Sequence, residues 1–262
     1  MSLTGKSPSA TYKDLLKVSN NNSGIDSTAR TIESGNGSNT AITLSDRALK
    51  VRSFTDNTTA FTVRDAGGTT KFQVDTTNDQ VKALGHHVNT QYADFGIAST
   101  LSANYAANTH HPIPFSANNQ ALANQDDITF GTSTDPATTF TTADGASTDA
   151  SLLVPMLWYV PDAISIDAVY GIEAGSNASG DTTRMHLMSY TFTSGSTSAL
   201  TSGTLLAHNS DVTNAGSEQA YLTEFTVDSA SVAAGKVILA FFRSDGINSD
   251  YSVNIKVKYH LT

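Results

Sequence analysis

Along residues 41–84 apolar side chains recur at every second position in five short doublets: Ile42/Leu44, Leu49/Val51, Phe61/Val63, Phe72/Val74 and Val81/Ala83. Runs of Asp, Asn, Thr and Gly separate them. A period of two places each doublet on one face of a strand, and Asp-Asn or Gly-Gly between doublets supplies turns. The pattern predicts a row of very short strands with one apolar face. Ten such side chains bury too little in a lone copy to offset the ordering of the whole stretch. Three copies around a shared axis cover the doublets and pair the open edges. The expectation for 41–85 is therefore an intertwined homotrimeric β stem whose core is Ile42, Leu44, Leu49, Val51, Phe61, Val63, Phe72, Val74 and Val81.

A second and longer alternation fills the C-terminal half. Ile164, Ile166, Ala168, Tyr170 and Ile172 alternate with Ser165, Asp167, Val169, Gly171 and Glu173, and Tyr251 to Leu261 alternate with Ser252, Asn254, Lys256, Lys258 and His260. Each reads as a strand with one buried and one wetter face. Further strands are expected at 128–130, 138–142, 151–160, 184–192, 204–208, 220–227 and 236–243. Strands joined by Gly, Asn, Asp and Ser turns, without a long amphipathic helix between them, predict an antiparallel β-sandwich over 128–262. Its length is enough for a core.

The flanks are weaker in pattern. Residues 1–40 are polar apart from TYKDLLKVS, where Thr11 and Asp14 suggest an N-cap and Tyr12, Leu15, Leu16 and Val18 an apolar face on two turns of helix. The segment is too short to fold alone and is expected to be extended and to dock on something else. Residues 86–127 are rich in Ala, Asn and Ser; Ile97, Leu101 and Tyr105 fit a short helix, and the stretch reads as neck and linker, with Pro112 and Pro114 marking entry to the next domain.

Composition narrows the function. The net charge is −9 with 15% charged residues and no basic run, which disfavours nucleic acid. There is no cysteine, so disulfides, thiolate metal sites and cysteine nucleophiles drop out. The first residues lack a signal-peptide core, and no apolar run approaches the ~20 residues a membrane span needs, so synthesis in the cytosol without membrane insertion is expected.

Residues 5–51, GKSPSATYKDLLKVSNNNSGIDSTARTIESGNGSNTAITLSDRALKV, resemble the N-terminal segments of virion structural proteins of tailed bacteriophages, chiefly of the fibre type. AFTVRDAGGTTKFQVD at 60–75 is similar to the repeating units of such fibre stems. The resemblance covers about the first third of the chain and carries no catalytic motif. It implies a trimer whose N-terminal segment, here Tyr12, Leu15, Leu16 and Val18, fixes it to phage tail or capsid proteins. It also implies assembly in the host cytoplasm and a final place on the virion surface, and, since such heads sit on fibres in that family, it favours a jelly-roll-like topology for the sandwich over 128–262.

Candidate chemistry is sparse. His86, His87, His110 and His111 are candidates for a transition metal on a three-fold axis, because neutral imidazole is a common ligand. Adjacent residues on a strand face opposite ways, so polar linker histidines are the preferred reading, and no metal or other cofactor is expected. Asp144-Gly145 to Asp149 and Asp245-Gly246 to Asp250 lack the oxygen density of a calcium loop. Four Glu, no Gly-x-Ser-x-Gly and no His-Glu-x-x-His argue against an enzyme. Trp158 and Tyr159 sit in an apolar run and read as core or interface before they read as a sugar platform. Polar loops at 175–181, 208–218 and 244–251 offer Asn177, Asp181, Asn209, Asp211, Asp245, Asn248 and Asp250 for receptor contact. The expected function is a homotrimeric phage tail or head fibre that displays its sandwich for adhesion to a host-surface glycan. A capsid decoration protein and a non-viral carbohydrate-binding module are the alternatives.

Overall fold

A computed structural model of the chain describes residues 16–21, 23–100, 106–115, 128–141, 153–246 and 250–262. The chain divides into two units, residues 1–88 and 89–262, each almost wholly antiparallel β. The N-terminal unit holds β1 (Leu16–Val18), β2 (Arg30–Ser34), β3 (Asn39–Leu44) and β4 (Leu49–Val51) in one sheet. A second sheet holds β5 (Phe61–Arg64), β6 (Thr70–Asp75), β7 (Gln80–Ala83) and β8 (His86–His87), and both sheets run in chain order. Every doublet has its own strand, and register sets doublet against doublet. Ile42 faces Val51 and Leu44 faces Leu49, while Val74 is flanked by Phe61 and Val81, and Phe72 by Val63 and Ala83. Turn chemistry fixes that register: Asp65 Oδ1 accepts from Thr69 N at 2.8 Å while Gly68 takes a φ of 85°, and Asp75 Oδ1 accepts from Thr77 N at 2.9 Å.

The expected N-terminal helix is corrected where the chain is described. Leu16–Val18 is a strand paired with β2, Val18 opposite Ile32, and Lys17 bridges to Glu33 at 3.1 Å across the pair. Three residues carry no periodicity of their own, so the neighbouring strand decides their conformation. Tyr12 and Leu15 lie outside the described residues.

The C-terminal unit contains β9 (Thr90–Thr100), β10 (His111–Ile113), β11 (Trp158–Tyr159), β12 (Ile164–Ser176), β13 (Thr182–Phe192), β14 (Leu200–His208), β15 (Val212–Thr213), β16 (Glu218–Glu224), β17 (Thr226–Val227), β18 (Ser231–Val232), β19 (Lys236–Ser244) and β20 (Asp250–Leu261). One sheet has the order β16-β12-β20-β9, and the other β10-β19-β13-β14-β17. Taking β9, β10, β12, β13, β14, β16, β19 and β20 as strands one to eight, the sheets read 1-8-3-6 and 2-7-4-5. That is the doubly wound order of a jelly roll.

The unit starts earlier than 128. The stretch expected as neck supplies β9 and β10, and Ile97, expected on a helix, lies on β9, whose Ala93, Phe95 and Ile97 enter the core. Alternate apolar positions Ala93, Phe95 and Ile97 are the strand signal, which polar neighbours and small residues obscured. Leu101 and Tyr105 lie outside the described residues.

Two cores, not one, hold this unit together. The first lies between the sheets and includes Phe95, Val169, Met185, Leu187, Ile238, Ala240, Phe242, Val253 and Ile255. Trp158 is in it, stacked on Phe115 with centroids 5.8 Å apart. The second lies on the opposite face of the β19–β13–β14 sheet: Met188, Tyr190, Leu200, Val237, Leu239 and Phe241 point outward from the strands and are covered by Ile128, Phe130, Phe140, Leu153 and Met156. Where strands were expected at 128–130 and 138–142, the described residues 128–141 form a strap. Among its described residues the strap has no ladder. Its backbone is pinned at points, Phe130 N to His110 O at 2.9 Å, Gly203 N to Thr138 O at 2.9 Å, and an isolated bridge between Phe140 and Leu200. Of the strand expected over 151–160, the described part is a 3₁₀ turn, Val154–Met156, followed by β11.

Phe130 packs on Phe140, Phe241 and Tyr190, with ring centroids 4.7–5.8 Å away. Phe130→Ala should destabilise the sandwich by about 3–5 kcal/mol. Denaturant unfolding followed by the fluorescence of Trp158, the sole tryptophan, measures it; an unchanged midpoint would show that the strap is not part of the core.

Candidate functional site

The described parts of the three polar loops singled out in the sequence meet at one end of the jelly roll, where the β12–β13 connection, the segment after β14 and the residues that follow β19 come together. Gly180 N bonds Asn214 O at 2.8 Å, Asn214 N bonds Asp181 O at 2.9 Å, and Asp245 N bonds Thr182 O at 3.1 Å. Side chains lock the cluster. Asp245 Oδ1 accepts from Thr182 N at 2.6 Å, Asp181 Oδ2 accepts from Tyr251 Oη at 2.7 Å, and Arg184 Nε donates to Asp211 Oδ1 at 2.6 Å. A side chain at Gly246 would run into the Asp181 carboxylate, so the close approach requires glycine there.

The individual candidates fare differently within that cluster. Asn177 is exposed at a φ of 58°, and Asp211 and Asp245 are exposed although bonded. Asp250 pairs with Ser176 at the start of β20. Asn209 is corrected: it is fully buried, and its Oδ1 accepts from Met185 N at 2.6 Å, making it an internal anchor and not a contact residue. An Asn next to a strand end is equally at home as a loop tip or as a cap for a neighbouring strand, and only packing distinguishes them. Asn248 lies outside the described residues.

Directly beneath this end is Glu173, an inward-facing residue of β12 with no exposed surface. Thr183 Oγ1 donates to its Oε1 at 2.6 Å, whereas Oε2 has no hydrogen-bond partner. Burial pushes the carboxyl above the usual carboxylate range, against the opposing effect of the Thr183 and Asn214 side chains. The alternation of β12 marked Glu173 as one of the wetter positions. The sheet's bulge between Ile166 and Ala168 shifts the register by one, turning Val169, Gly171 and Glu173 inward and Tyr170 and Ile172 outward.

The histidines separate into different settings. His86 and His87 form β8, paired with Ala83 and Lys82. His111 opens β10, and its Nε2 accepts from Ala106 N at 3.2 Å. His110 stands apart from them, fully buried, in a row with two histidines that sequence reasoning did not single out. Its ring meets that of His186 edge-on at 4.8 Å, and the His186 ring lies 6.3 Å from that of His208. His186 is fully buried on the strap side of β13, and neither of its ring nitrogens has a hydrogen-bond partner; Nε2 is 3.6 Å from Asp135 Oδ1. Each buried orphan of this kind costs about 1–3 kcal/mol. Burial, together with His110, Arg184, His208 and Arg243 nearby, drives the His186 pKa down to about 3. The signal was present in the sequence: His186 interrupts the apolar run Met185–Met188, and a histidine there is buried when both faces of the strand are covered.

The N-terminal unit offers a different kind of surface. Five of its ten doublet side chains stay open to solvent, among them Leu49 at 65%, Val63 at 48% and Phe61 at 42%, with Phe54 at 75% beside them, while Leu44, Phe72, Val74, Val81 and Ala83 are half-buried. Leu49, Val51, Phe54, Phe61 and Val74 line a groove of about 670 Å³ within this unit. Among the described residues no helix is long and apolar enough to cross a membrane. No family model matches the chain, and no curated protein matches it.

Because the folded pKa of Glu173 is raised, its contribution to stability is present below the ordinary carboxyl range and is lost as pH rises through the folded value. Glu173→Gln should therefore unfold at a higher denaturant concentration than wild type at pH 8, by about 1–3 kcal/mol, with the difference shrinking toward pH 4. A pH-independent difference would show that the carboxyl titrates normally.

Proposed function

We propose that the protein is a homotrimeric virion fibre of a tailed bacteriophage, fixed to the particle by its N-terminal residues and presenting its jelly roll to the host surface. One observation carries the reading. The five doublets occupy five strands in matched register, yet in a single chain none of their ten side chains is buried. The jelly roll of the same chain closes a core in which Phe95, Val169, Leu239 and Ile255 have no exposed surface, although Ile172 and Leu222 stay open on its outer face; the N-terminal unit closes no such core around its doublets. Contiguous apolar surface of that kind marks a contact, and the regular doublets suit identical copies better than a dissimilar partner, because each copy presents the same face. The resemblance of residues 5–51 and 60–75 to phage fibre proteins supports the same assembly.

The converged loops support the adhesive role. Their carboxylates are held by the Thr182 amide, the Tyr251 hydroxyl and the Arg184 guanidinium, so the loops offer a preorganised polar rim, and three such rims on one stem gain avidity from their linkage. A host glycan is the ligand class that a rim of Asn, Ser and Asp side chains suits. No catalytic step is required of it.

Light scattering of the intact protein should give about three times the 27.5 kDa chain mass; a monomer would sink the proposal. Phe61→Asp and Phe72→Asp each place a charge among doublets that the trimer would bury and should reduce the mass to that of one chain, while leaving Trp158 fluorescence native. Trimers that survive both changes would move the assembly contact to the jelly roll.

A further inference from the structure

The strap is fastened to one residue three times over. His110 N donates to Gly131 O at 3.0 Å, Phe130 N donates to His110 O at 2.9 Å, and His110 Nε2 lies 2.9 Å from Ser133 O. A carbonyl only accepts, so Nε2 carries the proton and Nδ1 keeps its lone pair. That Nδ1 is buried and has no hydrogen-bond partner among the described residues, and the same is true of both ring nitrogens of His186. The two rings meet edge-on at 4.8 Å. Asp135 Oδ1, on the strap, is 3.6 Å from His186 Nε2, beyond hydrogen-bond distance. The closed strap therefore accommodates two neutral imidazoles and offers a further proton on either ring nothing to bond to.

We propose that this fastening is an acid-operated release: protonation of His110 and His186 frees the strap, residues 128–141, from the β19–β13–β14 sheet while the core between the two sheets stays closed. The groups around the pair oppose a new positive charge. Arg184 flanks it on β13, bridged to Asp211 at 2.6 Å, and Arg243 on β19, held by Asn108 Oδ1 at 2.9 Å. His208 on β14, bonded to Asp228 at 2.7 Å, and His111, next to His110, would add charge of the same sign when protonated. Asp135 is the counter-charge from the strap, and its side chain is 54% exposed, so water screens it. Two guanidiniums against one screened carboxylate leave release as the way to hydrate the protonated rings.

The direction follows from linkage. Under the closed strap both imidazoles titrate below the usual histidine range: His186 at about 3, chiefly through burial, and His110 lowered by burial against the opposing effect of Ser133. In solvent each returns to about 6.5. Their contribution to closure is full above that value and is lost as pH falls from it toward the folded values. Each proton taken up on opening raises the open-to-closed ratio about tenfold per pH unit. The strap can leave without the sheet because its backbone ties to the sheet are scattered, Gly203 N to Thr138 O at 2.9 Å and the Phe140–Leu200 bridge. What it uncovers is apolar and contiguous: Met188, Tyr190, Leu239 and Phe241, a face of the kind that marks a contact. The device lies within one jelly roll and does not depend on trimer formation.

Amide hydrogen exchange of the full-length protein between pH 7.5 and 4.5, corrected for the intrinsic pH dependence of exchange, tests the proposal. The amides of His110, Phe130 and Gly203 should open more on acidification below about pH 6.5, by about tenfold to a hundredfold per pH unit for one to two protons, while amides of β20 stay protected and Trp158 fluorescence stays native. Binding of an apolar dye should rise over the same range. His186→Met, an apolar side chain under the strap, should make the opening about tenfold per pH unit less steep, and His110→Gln should do the same. His86→Gln, in the N-terminal unit, should change nothing. Strap opening that does not vary with pH, opening of strap and β20 amides together, or a slope that both His186→Met and His110→Gln leave intact would each overturn the assignment. The wild-type exchange profile decides the matter even where a variant fails to fold.

Discussion

The burial of both faces of β19 is the constraint on which the C-terminal unit depends. Val237 to Phe242 is an unbroken apolar run, and every one of its side chains is buried. A strand of that kind needs a cover on each side. The β16-β12-β20-β9 sheet covers one face, and the strap, which has hardly any secondary structure, covers the other. Because the strap is held by aromatic packing and scattered backbone bonds instead of a ladder, its position rests on a few large side chains, Phe130 and Phe140 above all. The histidine row lies under the same strap for the same reason. Once β13 is covered on both faces, a polar residue in its middle has to be buried with it.

The two units solve the problem of apolar surface in opposite ways. In the jelly roll, strands of nine to thirteen residues supply enough alternating positions to close a core within one chain. In the N-terminal unit, strands of two to six residues bring doublets into register but cannot cover them. Short strands still pair, because register depends on local turns such as Asp65–Thr69, while burial depends on what lies above the sheet. The open face follows from strand length.

The loop end shows how polarity is divided between structure and surface. Asp181, Asp211 and Asp245 look alike in sequence, yet each bonds to a different neighbour and together they make the end rigid. Glu173 and Asn209, just beneath, are polar groups buried by the same closure. Such groups define one arrangement of the loops more sharply than apolar packing would, since an unmade bond is costly.

The all-β architecture was legible from alternation alone, and so were the five doublet strands and the long strands β12 and β20. Those signals are local: a period of two and a turn residue depend on nothing outside the segment. The strap could not be read that way, because Ile128, Phe130 and Phe140 have no period, and their burial comes from sheet residues such as Met188, Leu200 and Phe241 that lie far along the chain. Glu173 was misplaced for a related reason, as a one-residue bulge inverts every later side chain. The histidine row joins positions 110, 186 and 208 through strand pairing and strap closure, and no spacing in the chain encodes it. Alternation fixed which segments became strands; the packing of sheets and strap decided which polar residues were left inside.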